Sequence, residues 1–313
     1  MVSRWTAEDI PDQTGRTALI TGANSGLGLH TALGLARRGA HVLLGCRDAG
    51  RGQTALETVQ NQAPAAAVEL VLVDLADLTS VRRAAQQISE RVGALDLLMA
   101  NAGVMALPYR TSTDGFEMQI ATNHLGHFAL VGHLLATLRQ TTPIGVDPRV
   151  VVTSSEVHRL GTINLDRLSP ERRNYHRWLA YGQSKLANLL FMRELQHRSD
   201  AAGWGLLCAA AHPGYAATNL QLAGPAMRRN QLGILANKAA NALFAQSDAQ
   251  GALPQLYAAT MPDVSPGDYW GPDGPANIRG YPSRQSAKKA AYDDDMARRL
   301  WERSEQLTGV HYG

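Results

Sequence analysis

Tyr181 and Lys185 lie four residues apart in the run YGQSKLAN. On a helix, positions i and i+4 share a face, so a phenol and an ammonium lie side by side. A free tyrosine titrates near ~10, too high for a base at neutral pH. A unit charge at about 4 Å is worth roughly 4 kcal/mol at an effective dielectric of about 20. That is enough to bring the phenol down by as much as about three pH units. Such a tyrosine can exchange a proton with a carbonyl or alcohol oxygen. The same spacing also occurs on exposed helices that carry no chemistry, so the pair needs a setting.

The setting begins at Thr17–Arg38, TALITGANSGLGLHTALGLARR. An apolar run (Ala18, Leu19, Ile20) leads into Thr21-Gly22. Asn24, Ser25, Gly26, Leu27 and Gly28 follow, and then apolar residues at helical spacing. This reads as a buried strand, a tight turn and an amphipathic helix. Glycines let the turn take positive φ and approach a ligand closely. The helix start then faces a negative group, most often a phosphate. A strand–helix turn that merely needs flexibility has the same glycines. No Gly-Lys-Ser/Thr follows, which excludes the NTP-cradling loop.

The rest of the chain alternates strand and helix. Strands are expected at His41–Cys46, Val68–Val73, Leu95–Ala100, Arg149–Thr153 and Gly205–Ala211. Helices are expected over 49–62, Ser80–Val92, Phe116–Leu138 and the segment holding Tyr181 to Leu195. Further helices are expected over 236–246, 248–259 and Ser286–Thr308. Residues 219–235 read as a mobile segment, and 261–284 as a loop-rich cap with one short edge strand. Alternation at this interval implies right-handed crossovers: an α/β fold with a doubly wound parallel sheet and helices on both faces. With no internal repeat and no clean linker, the 313 residues are expected to form one domain, 261–313 being its C-terminal cap and helix.

Composition narrows the classes. Hydrophobic residues at 45% support a sizeable core, and charged residues at 18% argue against disorder. A net charge of +3 is too small to point to nucleic acid or a membrane surface. Cys46 and Cys208 fall in apolar runs and read as buried thiols. The opening stretch is mostly polar and no apolar run reaches spanning length, so the expected location is cytoplasmic. His124, His127 and His133 share a helix, but no carboxylate or cysteine cluster joins them, so no metal site is expected.

Taken together the motifs are more specific than any one alone. In order they are TGANSGLG, CRD after the second strand, Asp74-Leu75, ANAGVM, TNHLGHF, VTSSEVH, YGQSKLAN and Pro213-Gly214. Nearly all fall at strand carboxyl ends, where open α/β sheets bind ligands. The T-G-x-x-x-G-x-G spacing and this order resemble the short-chain dehydrogenase/reductase superfamily over roughly residues 15–260. Within it the chain is most similar to the retinol-dehydrogenase and WW-domain-oxidoreductase branch. The resemblance implies a Rossmann-fold oxidoreductase of carbonyl/alcohol pairs using NAD(P)(H). It implies Tyr181 as general acid/base, with Lys185 lowering its pKa and holding the nicotinamide ribose. Ser155 matches the position that bonds the substrate oxygen. Ser154 is the alternative, because strand alternation points the two apart. Asn123 matches the asparagine that bends its helix and positions a relay water. Asn101, Ala102 and Gly103 are implied near the adenosine and ribose, and Asp74 and Leu75 at the adenine. Pro213, Gly214 and Thr218 are implied at the nicotinamide amide and pyrophosphate. An Arg-rich insert between Ser155 and Tyr181 leaves the substrate wall unread.

An acidic residue ending the second strand would accept both ribose hydroxyls of NAD. Here Gly45-Cys46-Arg47 occupies that place, and Arg47 can pair with a 2′-phosphate. The expected cofactor is therefore NADP(H) in preference to NAD(H), with Asp48 capping the next helix. The expected substrate is a small carbonyl or alcohol, which the branch resemblance implies to be hydrophobic, and the expected direction is reduction. Either a monomer or a homodimer fits. Two other readings stand: a non-catalytic NAD(P)-binding sensor or scaffold, and a sugar-nucleotide epimerase, which also uses Tyr-x-x-x-Lys.

Overall fold

The structure is a computed structural model and describes residues 4–139, 147–215 and 246–312. Eight strands form one sheet: β1 (Thr17–Thr21), β2 (His41–Cys46), β3 (Val68–Leu72), β4 (Leu97–Ala100), β5 (Arg149–Thr153), β6 (Leu207–Ala211), β7 (Tyr269–Pro272) and β8 (Pro282–Arg284). Their order is β3-β2-β1-β4-β5-β6-β7-β8. The first seven run parallel, and β8 closes the edge antiparallel to β7. The order reverses between β1 and β4, which makes that crevice the topological switch point.

The strands are apolar throughout because both faces of the sheet are covered. Leu19, Leu43, Leu98 and Val150 point into one core, and Ile20, Val42, Leu97 and Val151 into the other. The first core lies under α3 (Leu78–Arg91), α5 (Gly126–Leu138) and α6 (Arg177–Ala202), the second under α1 (Gly26–Ala36) and α2 (Ala49–Gln62). Cys46 and Cys208 are buried free thiols in opposite cores. Asp48 caps α2 by accepting the Arg51 N–H at 2.8 Å. Trp5 anchors the lead-in, with its indole N–H on the Met261 sulfur at 3.2 Å.

Three expectations change. The helix expected over 116–138 is a short α4 (Met118–Ile120), a π turn (Ala121–Leu125) and α5. Residues 261–284 hold two strands, not one, with Tyr269 and Trp270 buried in β7. Trp270 packs on Tyr257 at 4.3 Å between ring centres, so these aromatics build core. After α7 (Asp248–Gly251) and α8 (Leu253–Thr260), the terminal helix α9 spans Asp294–Thr308. It starts later than its periodicity suggests because the Asp293 carboxylate caps it on the Met296 N–H. The segments 219–235 and 236–245 lie outside the described residues.

Candidate active site

The turn after β1 is built as the glycine spacing requires. Gly22 and Gly26 sit at φ 67° and 56°, in the left-handed region that glycine enters without strain. A Cβ on Gly28 would lie 2.3 Å from the Gly22 carbonyl oxygen and 2.7 Å from the Asn101 amide nitrogen. Only glycine lets α1 start this close to the strand. Ser25 caps α1 without a side-chain hydrogen bond, so the first N–H groups of the helix face the crevice.

Thr21 ties the turn to the end of β4. Its hydroxyl oxygen accepts the main-chain N–H groups of Asn101 and Ala102 at 3.0 and 2.9 Å, and lies 2.9 Å from the His127 ring. The Asn101 amide donates to the Thr21 carbonyl at 2.8 Å. Gln255, buried in α8, bonds the side chains of Thr31, Asn101 and Thr153.

The glycine turn, Asn24, Ser25, Leu27, Arg47, Asp74, Leu75, Asn101, Ala102 and Gly103 line one cleft of about 270 Å³. Its shape and donors fit a nicotinamide dinucleotide: positive-φ glycines and open helix N–H groups for a pyrophosphate, and guanidinium groups at the far end. Arg51 lines that far end beside Arg47 and Asp48. It follows Arg47 by one helical turn, but a guanidinium on an exposed helix carries no motif that would single it out. Pro213 and Gly214 are not part of this cleft wall. Gly214, at φ 64°, packs against the Ile278 carbonyl oxygen, where a Cβ would lie 2.3 Å away. Thr218 lies outside the described residues.

Tyr181 and Lys185 lie together on α6, both buried. Lys185 Nζ donates to the Thr153 carbonyl oxygen at 3.0 Å and lies 5.7 Å from the Tyr181 ring centre. Burial pushes the phenol up to about 12, and a hydrogen bond from the Ser155 side chain works the other way. Burial also brings the ammonium down to about 8. The helical spacing alone predicts a lowered phenol. In the structure the phenol is raised instead, because desolvation of the phenolate is the largest influence on it, while the lysine is aimed at a carbonyl.

The serine pair divides as strand alternation requires. Ser154 is fully buried and donates to the Lys185 carbonyl oxygen at 2.9 Å. Ser155 is half-buried and is the serine beside the Tyr181 phenol. Asn123 sits in the π turn with its amide engaged. Its oxygen accepts the Val104 N–H at 2.8 Å, and its nitrogen donates to the Val104 oxygen at 3.0 Å and to Ser184 Oγ at 2.8 Å. The side chain thus ties the π turn to the loop after β4.

Of the helix histidines, His124 and His127 are interior groups and His133 is half-buried. His124 bonds Ser304 at 2.8 Å and is held down to about 3 by burial, and His127 to about 4. Among the described residues no group of three histidine, cysteine or acidic side chains could hold a metal.

A profile of the family described as short chain dehydrogenase matches residues 16–228. Human retinol dehydrogenase 14 is 37% identical over 95% of this chain and 87% of its own length. The WW domain-containing oxidoreductase of Danio rerio is also 37% identical, over 95% of this chain and 69% of its own. The crystal structure of an uncharacterized protein from Mycobacterium paratuberculosis is 43% identical over 99% of this chain and 100% of its own, with a TM-score of 0.80.

Proposed function

This chain belongs to the short chain dehydrogenase family and is an oxidoreductase, and from that premise we propose that it reduces an apolar carbonyl compound with NADPH, with Tyr181 as the proton donor. The observation that carries the reading is the pairing of two sites in one crevice. The lining of the cleft includes Gly103, where a Cβ would lie 3.4 Å from Lys185 Nζ.

Bound in the cleft, the coenzyme supplies the hydride. The chain's own residues do the rest. Tyr181, buried and neutral, gives its proton to the substrate oxygen as charge builds there, and Ser155 donates a hydrogen bond to the same oxygen. Lys185, fixed by Thr153, places a positive charge next to the phenolate that forms. Asn123 acts through Val104, holding the loop that closes this side of the site. Arg47 and Arg51 favour NADPH, because Asp48, the carboxylate next to Arg47 in the chain, is engaged as the α2 cap. Trp178, one helical turn before Tyr181, is 38% exposed and lies edge-on to its ring at 6.4 Å. An exposed large apolar side chain beside Tyr181 suits an apolar substrate.

No helix among the described residues is long and apolar enough to cross a membrane. The function is tested by Tyr181→Phe. Turnover of a panel of aldehydes and ketones is expected to drop by about 10²- to 10⁴-fold, with NADPH affinity retained. Wild-type protein that binds NADPH but turns over none of these carbonyls, and is unchanged by Tyr181→Phe, would instead be a binding module.

A further inference from the structure

The loop after β4 is held in a backbone conformation its sequence does not favour. Ala106 sits at φ 49°, in the left-handed region that residues with a Cβ rarely enter. Such strain persists only where the surroundings over-determine it, and it gathers at functional sites. Here the determinant is visible. Gln119, fully buried in α4, accepts the Ala106 N–H on its side-chain oxygen at 2.7 Å. Its nitrogen donates to the Tyr175 hydroxyl at 2.8 Å and to the Arg177 carbonyl oxygen at 2.9 Å. Tyr175 in turn donates to the Leu107 carbonyl oxygen at 2.7 Å. Every hydrogen of the Gln119 amide is used, and the three partners come from two separate stretches of chain, the loop at Ala106 and residues 175–177.

Those stretches are the ones that border the reacting groups. The loop starts at Gly103, against Lys185. Arg177 opens α6, one turn before Tyr181. Tyr175 belongs to the insert between Ser155 and Tyr181, and stacks edge-on with Tyr109 at 5.3 Å. Beyond the loop lies a cavity of about 510 Å³ bordered by Pro108, Tyr109, Tyr175 and Arg177.

We infer that Gln119 and Tyr175 are positioning residues that clamp the loop Gly103–Leu107 to the insert and to α6, and so decide which substrates fit beside Tyr181. The inference rests on the carbonyl-reductase reading. It adds that substrate selectivity resides in a buried amide and a half-buried phenol that act through the loop they hold.

Tyr175→Phe removes two hydrogen bonds and keeps the ring, so the variant is expected to fold. With NADPH and the aldehydes propanal, benzaldehyde and decanal, the ratio of kcat/KM for decanal to propanal is expected to shift by about tenfold. NADPH affinity should not change. Gln119→Leu is expected to shift the ratio the same way. Adding Ala106→Gly should restore it, because glycine takes the loop conformation without a clamp. A residue that merely stabilised the fold would lower all three substrates together and would not be rescued by glycine. Amide hydrogen exchange gives a reading independent of turnover: Tyr175→Phe should speed exchange over 103–109 and leave 20–30 unchanged. A wild-type protein that reduces none of the aldehydes defeats the functional reading, and the exchange result then judges the clamp alone. Unchanged exchange over 103–109, or unchanged selectivity in an active enzyme, overturns the clamp.

Discussion

Lys185 donates its ammonium to the carbonyl oxygen of Thr153, the last residue of β5, at 3.0 Å. Asn188, one turn further along α6, donates to the same oxygen at 3.0 Å. The lysine is therefore fixed by the sheet rather than by the tyrosine it accompanies. Thr153 also bonds Gln255, so the position of the charge is set by the same buried polar group that holds Asn101.

The pH dependence follows from burial. With the phenol at about 12, Tyr181 is protonated at neutral pH, which is the form that donates. Carbonyl reduction should therefore be level through neutral pH and fall on the alkaline side. Alcohol oxidation needs the phenolate and should rise with pH, by up to about tenfold per pH unit. Initial rates in both directions from acid to alkaline pH check this. An oxidation rate that falls as pH rises contradicts it.

Arg47→Ala should raise the NADPH dissociation constant by roughly 10- to 100-fold, the worth of one charge-assisted contact of about 1.5–3 kcal/mol. NADH, which lacks the 2′-phosphate, should be little affected. Fluorescence titration with each coenzyme measures the pair. Equal losses for both would place Arg47 away from the phosphate.

Gly28→Ala puts a methyl group 2.3 Å from the Gly22 oxygen. The turn has to open, at a cost of about 1–3 kcal/mol. The expected outcome is a lower melting temperature together with lost coenzyme binding. Full NADPH affinity in this variant would mean that the turn is not the pyrophosphate seat.

Trp301→Ala tests the terminal helix. Trp301 is 1% exposed and packs on Phe128, Phe191 and Tyr312 at 5.0, 5.7 and 4.3 Å between ring centres. Removing it should cost about 3–5 kcal/mol. A melting temperature that stayed at the wild-type value would show that α9 is not part of the folded core.

Much of this was legible in one dimension, where the physics is local. Apolar runs such as HVLLGC and RVVVT can only be strands covered on both faces, and both are. The glycine spacing dictated a turn that admits no Cβ at residue 28. Asp48, just before a helical pattern, read as a cap and is one. Other features had no local signal. Thr21, Gln119, Tyr175 and Gln255 are polar residues in unremarkable surroundings, and each acts on partners from distant parts of the chain. Tyr269 and Trp270 sit among Pro and Gly and read as loop, yet they pair with β6 across a long connection. The π turn at Asn123 leaves helical periodicity almost unchanged over so short a span.

The amino-acid sequence by itself determined the α/β alternation, the glycine turn after β1, and the adjacency of Tyr181 and Lys185 on one helix face, because hydrogen-bonding periodicity and backbone sterics act between near neighbours. Only the tertiary structure decided what that adjacency means. Burial depends on what packs around α6, and it moves the phenol up where the charge alone would move it down. It also decided which serine meets the phenol, and which buried side chains hold the loop beside it, since those contacts form only when remote segments are brought together.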